Sequence, residues 1–145
     1  MKISIAQYSP TWPTQFNQLK KEIAELLKEI NPVIEHIGST SVPGLAAKPI
    51  IDIQIGVKNY NDFPFVVEKM MSGPFIYYQV YEDTMPNRRL FVRLKNDSDS
   101  DRFPKIFTDL HHIPHEEMNE ARISNIHVWK IDEPDYIRHF SFRII

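Results

Sequence analysis

Cysteine is absent from the 145 residues. Neither a disulfide nor a thiolate metal site is available, and a reducing compartment is the simpler setting. Glycine is scarce, four residues against eleven prolines, so each glycine points to a backbone position that needs it. Neither charge sign dominates: 17 Lys and Arg face 19 Asp and Glu, a net charge of −2. That balance argues against a protein whose main task is neutralising a nucleic-acid backbone. Long apolar runs are missing too. None approaches the roughly 18 residues that a transmembrane helix needs. The start, Met1 to Ile5, lacks the apolar stretch and small-residue cleavage site of a signal peptide. A cytoplasmic protein with no membrane partner is the expectation.

What is present is ordinary globular mass. Hydrophobic residues make up 42% and charged residues 25% of the chain, enough apolar surface to offset chain entropy. The length suits one domain over residues 1–145, and no repeat or interdomain linker interrupts it.

Phe16, Leu19, Ile23, Leu26, Leu27 and Ile30 recur at spacings of three and four, which predicts an amphipathic helix over 14–30. Thr11 or Thr14 is available as its cap, and Asn31-Pro32 ends it. Val33 to Ile37 reads as a strand, Leu45-Ala46-Ala47 as a brief helical turn, and Pro49 to Val57 as a second strand. In that strand Ile51, Ile53, Ile55 and Val57 share one face, and Asp52, Gln54 and Gly56 share the other. A helix follows, carrying Phe63, Val66, Val67, Met70 and Met71, with Gly73 at its end. Strands are expected at 75–81, 88–95 and 126–131, a helix at 116–122, and a terminal helix from 135. The fold class is α/β, or α+β: a mixed sheet with helices mainly on one face, leaving the other as a groove.

Chemistry concentrates between Glu35 and Val57. A strand end carries Gly38-Ser39, and the next strand carries Asp52 and Gln54 about 6.5–7 Å apart on one face. Gly-Ser at a strand end can offer backbone N–H groups and a hydroxyl to a phosphate. A carboxylate on a neighbouring strand can hold Mg²⁺ against the same phosphate. Taken alone, Asp52 reads as a strand-end acid in a structural ion pair, and Ser39 as a turn residue or cap. Lys48 is either a solvated charge or a phosphate contact. Arg89 and Arg93 share a strand face from which they grip phosphate or merely meet solvent. His127 lies between Ile126 and Val128 and faces opposite to them. It is a general base, a phosphate contact, a third ligand or a plain structural histidine. His36 reads as a packed histidine supporting the loop.

Two further patterns fail. His112 and His115 have helical spacing, with His111 beside them, but Pro114 breaks the helix that a zinc pair would need. Asp97, Asp99 and Asp101 alternate like a calcium loop, yet Arg102 and Thr108 stand where its glycine and last acid belong.

The pattern Gly-Ser, twelve residues, Asp52-Ile53-Gln54 resembles the signature of the polymerase-β-like nucleotidyltransferases. More closely, the chain resembles the GrpB family. The run from His36 through Gly38-Ser39-Thr40-Ser41-Val42-Pro43-Gly44 to Asp52-Ile53 carries that resemblance. Tyr8-Ser9-Pro10-Thr11-Trp12-Pro13, Arg88-Arg89-Leu90-Phe91, Ile126-His127-Val128 and Phe142-Arg143 add to it. The resemblance implies a nucleotidyltransferase-like fold and transfer of a nucleotidyl group to a small acceptor with Mg²⁺. Asp52 would hold the metal, and Asp52 and His127 would be catalytic. Gly38, Ser39, Thr40, Lys48, Gln54, Arg89 and Arg93 would bind substrate. Gln54 replaces the second acid of the signature, which favours an alternative: a non-catalytic module for a nucleotide or phosphometabolite, or an accessory domain for an enzyme partner. The resemblance also implies an Asp and further helices after Phe142-Arg143, where this sequence has Ile144 and Ile145.

Overall fold

A computed structural model of the protein describes residues 5–109 and 115–132. The structure is mixed α+β: one five-stranded sheet with helices on both sides, the two longer ones on the same face. The elements are α1 (Thr11–Leu26), β1 (Val33–Ile37), β2 (Ile51–Val57), α2 (Phe63–Ser72), β3 (Phe75–Tyr77), β4 (Arg88–Leu94), α3 (His115–Ala121) and β5 (Arg122–Lys130). The sheet order is β1-β2-β5-β4-β3. Strand β2 runs parallel to β5, and every other pair is antiparallel.

Helix α1 starts three residues before the expected position. Ser9 sets the start: its hydroxyl accepts from the Thr11 N–H at 3.2 Å, and its carbonyl accepts from the Trp12 N–H at 3.1 Å. Pro13 then falls in the first turn, where its missing N–H costs nothing. The helix also stops early. Leu27 to Ile30 form a turn, and Asn31 adopts a left-handed φ of +45° before Pro32. The strand expected at 75–81 shortens to β3, because residues Gln79–Tyr81 coil into a 3₁₀ turn. Ala47 makes no helical turn; it exchanges both backbone hydrogen bonds with Ala6. Strand β5 begins four residues early, directly after α3. The expected terminal helix, with His111 and His112, lies outside the described residues.

Register sorts the side chains. Ile53, Ile126 and Phe91 line up across β2, β5 and β4. They pack under Leu19 and Ile23 of α1 and Val66 and Met70 of α2, forming the main core. The next row is Gln54, His127 and Leu90, and beside it run Asp52, Asn125 and Val92. These rows face away from α1 and α2. Toward β3 that second face is not open. Ile76, Val92 and Leu94 pack with Phe103, Phe107 and Met118 in a smaller core.

Candidate functional site around Asp52

The loop after β1 turns at Gly38, whose φ of +76° is a conformation that glycine adopts without strain. A 3₁₀ turn follows at Ser39–Ser41. The Ser41 N–H and hydroxyl both donate to the Gly38 carbonyl, at 3.1 and 2.5 Å. The Val42 N–H donates to the Ser39 carbonyl at 3.2 Å. Those two amides are spent on the turn itself. Ser39 is exposed at its edge.

Thr40 is buried and holds the loop from below. Its hydroxyl donates to the Ile50 carbonyl at 3.1 Å, so it accepts from Nε2 of His36 at 3.0 Å. The His36 ring stacks on Phe16 of α1, with centroids 4.9 Å apart. Thr40 therefore positions the loop, and the expected supporting role of His36 has a physical form.

The glycine is demanded by Asp52 as much as by the turn. A Cβ on residue 38 would lie 2.7 Å from Oδ2 of Asp52. Loop and carboxylate are thus in direct contact. Asp52 is half-buried, and burial raises its pKa above the ordinary carboxylate value. Three groups oppose that rise. Nδ2 of Asn125 donates to Oδ1 of Asp52 at 3.3 Å, and the charges of Arg122 and Lys48 act from nearby. Arg122 is tied to the same row. It donates to Oδ1 of Asn125 at 2.9 Å and also bonds Asn119.

The structure brings Gly38, Ser39, Asp52 and Lys48 together, with Thr40 beneath. His127 lies on the same face, one register row from Asp52 and directly beside Gln54. Gln54 is 0% exposed, which corrects the expectation of a groove there. Its amide is a buried part of the sheet face, removed from solvent and from an incoming ion.

Arg89 and Arg93 are not brought to the loop. They alternate with Leu90 and Val92 and so emerge on the α1–α2 face. The Arg89 guanidinium lies over the Phe63 ring of α2, 4.9 Å from its centroid, and meets Glu82 at 3.3 Å. Arg93 meets Glu22 of α1 at 3.3 Å and Asp97 at 2.7 Å. Both cations are occupied in packing the sheet. The acidic run is also used internally: Asp97 pairs with Arg93, and Asp99 pairs with Arg102 at 3.3 Å.

Arg122 and Asn125 are not among the residues that the sequence motifs single out. Asn125 was within reach, because it lies two residues before His127 and shares its face. Arg122 reaches that face through an irregularity: Arg93 pairs with Ser124 but Leu94 pairs with Arg122, leaving Ile123 as an extra residue. No alternation rule predicts it.

A resident Mg²⁺ ion fits this donor set poorly. Among the described residues no group of three or more His, Asp or Glu side chains could cage a metal. One carboxylate with a raised pKa is available, and Gln54 is enclosed. Among the described residues no helix is long and apolar enough to cross a membrane.

Comparison with known proteins places the fold in context. The model of the GrpB protein family matches residues 2–145. A UPF0157 protein from Halalkalibacterium halodurans is 47% identical over 60 residues, 41% of this chain and 31% of that protein. The glutamate-rich protein GrpB of Alkalihalophilus pseudofirmus is 26% identical over 143 residues, 98% of this chain and 70% of that one. The crystal structure of conserved protein GrpB from Enterococcus faecalis superposes with a TM-score of 0.70 at 27% identity, covering 97% of this chain and 70% of that one. In the first four curated relatives the match spans only 31% to 40% of their length.

Proposed function

This chain belongs to the GrpB family, and on that premise we propose that it binds a nucleotide or related phosphorylated metabolite at the Gly38–Ser39 loop, as a binding module. The observation that carries the reading is the charge around Asp52. Two cations, Arg122 and Lys48, act on a single half-buried carboxylate beside a glycine turn. That local excess of positive charge suits a phosphate, and Arg122, whose terminal nitrogens each hold an asparagine, keeps one further N–H on each for it. Ser39 stands exposed at the turn to add a hydroxyl. Asp52 orients Asn125 and, with a metal-bearing polyphosphate, would meet the ion that the ligand carries in.

A second reading is nucleotidyl transfer, as the resemblance to polymerase-β-like enzymes implies. Its support is the contact between Gly38 and Asp52, which sets an acid next to the proposed phosphate seat. The enclosure of Gln54 weighs against it, because the second carboxylate position is closed as well as uncharged. Calorimetry with nucleoside triphosphates, with and without Mg²⁺, tests both. Saturable binding without metal that falls at least about ten-fold in Arg122→Gln supports the module. Binding that requires Mg²⁺ and is accompanied by pyrophosphate release with an acceptor supports transfer. No heat with any nucleotide or inorganic phosphate overturns both readings.

A further inference from the structure

At the other side of the sheet a cavity of about 340 Å³ opens between the α2–β3 turn, the end of β4 and the loop after it. Strands β5 and β4 separate it from β2, the strand of Asp52. Pro74, Ile76, Leu94 and Phe103 give it apolar walls, and Lys105, Arg93 and Asp97, the last paired with Arg93, bring charge to it. Its volume lies at the lower end of the range for small-molecule sites.

The two cations differ. Arg93 is ion-paired: its terminal nitrogens donate to Glu22, to Asp97 and to the Leu94 carbonyl. Lys105 is not. Its ammonium donates to the Gly73 carbonyl at 2.6 Å, and among the described residues no carboxylate pairs with it. Lys105 is exposed as a whole, yet desolvation of its ammonium and the Arg93 charge hold its pKa below the ordinary lysine value. An ammonium in that situation gains from an incoming anion, while the exposed Pro74 gains from covering with apolar surface beside the buried side chains of Ile76, Leu94 and Phe103. A second negative charge is unwelcome, because Glu22 and Asp97 already flank Arg93.

We propose that this cavity is a binding site for a small organic monocarboxylate, its carboxylate on Lys105 and its apolar body against Ile76, Leu94 and Phe103. The site is independent of the nucleotide reading and requires no residue of the Asp52 loop.

The test is titration of the ¹⁵N-labelled chain with benzoate and hexanoate, followed by amide chemical shifts. Saturable shifts at Gly73, Ile76, Phe103 and Lys105 are expected, and benzyl alcohol and inorganic phosphate should not reproduce them. Lys105→Met should weaken benzoate binding at least about ten-fold. Ser100→Trp, placed at an exposed wall residue, should do the same by closing the entrance, and both variants should keep the parent melting temperature. Absence of saturable shifts, equal binding of benzyl alcohol or phosphate, or unchanged affinity in folded Lys105→Met would each overturn the proposal. Nucleotide binding at the Asp52 loop can fail or succeed without affecting any of these outcomes.

Discussion

The two faces of one sheet are built on different terms. Under α1 and α2 the rows are aliphatic and aromatic, and the polar groups there, Arg89 and Arg93, are consumed by Glu82, Glu22 and Asp97. On the other face a polar strip of Asp52, Gln54, Asn125 and His127 runs beside a smaller apolar cluster anchored by Met118 of the short α3. The first face holds the larger core and the second the polar strip with Asp52. The difference teaches that charge alone does not mark a site. The arginines best placed to attract notice in the sequence are held in ion pairs, and a less conspicuous one, Arg122, faces the acid.

Breaking the larger core should have the largest effect. Phe91→Ala, at the centre of the α1–α2 face, should lower the unfolding free energy by about 3–5 kcal/mol. Met118→Ala on the opposite face should cost nearer about 2 kcal/mol, because the seven-residue α3 can settle into the space. Urea unfolding of both variants measures the gap. Equal losses would show that the two cores contribute alike.

Gln54→Glu probes the polar strip. It places a charge where exposure is 0%, with Asp52 on the same face and Glu35 opposite in register. We expect a loss of about 2–4 kcal/mol at neutral pH. Burial and like charges raise the folded-state pKa of the new acid, so the penalty grows as pH rises and shrinks toward pH values where it is protonated. Recovery of the melting temperature on adding Mg²⁺ would contradict the view that this position is closed to ions.

Gly38→Ala should cost about 1–3 kcal/mol, from the positive φ and from the clash with Asp52. In an Asp52→Ala background the 2.7 Å contact is gone and only a 3.2 Å approach to the residue 52 Cβ remains, so the penalty should fall toward about 1 kcal/mol, the share of the left-handed backbone. A double-mutant cycle by thermal unfolding separates the two parts. Additive losses would place the loop away from the carboxylate.

The smallest effect is a gain. Burial raises the Asp52 pKa, so ionisation is less favourable in the folded chain than in the unfolded one. Stability linked to this group is complete below its ordinary pKa and is lost as pH rises through the raised value. Asp52→Asn removes that loss. The variant should be more stable than the parent near neutral pH by no more than about 1 kcal/mol, and the advantage should vanish in acid. Melting curves across the carboxylate range check the sign.

Much of this layout was legible, and the failures have identifiable causes. The period of α1 is strong because that helix has one wet side and one dry side. The alternation of β2 is strong because its isoleucines alternate with Asp52 and Gln54, so Ile53 and Asp52 fall on different faces although both faces are largely covered. Strand β4 is less legible. Both of its faces are covered, one by α1 and α2 and one by the Met118 cluster, so alternation separates Arg89 from Leu90 without saying which core each joins. The early start of α1 depends on Ser9 using both its hydroxyl and its carbonyl, a tertiary choice among several capping residues. The acid-bearing loop was readable through Gly38 and Asp52. Arg122 was not, since one extra residue in β5 turns it to that face.

The place of β5 in the sheet sets the order in which the molecule can be completed. This strand is the last described in the chain, yet it lies between β2 and β4. Until it arrives, β1 with β2 and β3 with β4 are separate ribbons, each presenting an unpaired inner edge. Asp52 and Asn125 are 73 residues apart, so the contact that finishes the carboxylate's surroundings carries a large loop-closure cost. On a ribosome, a nascent chain ending before residue 122 would hold the glycine turn and the acid but neither Asn125 nor Arg122. Closure of the sheet and assembly of the site are therefore one late event, and that interval is when the chain most needs protection from pairing with its neighbours.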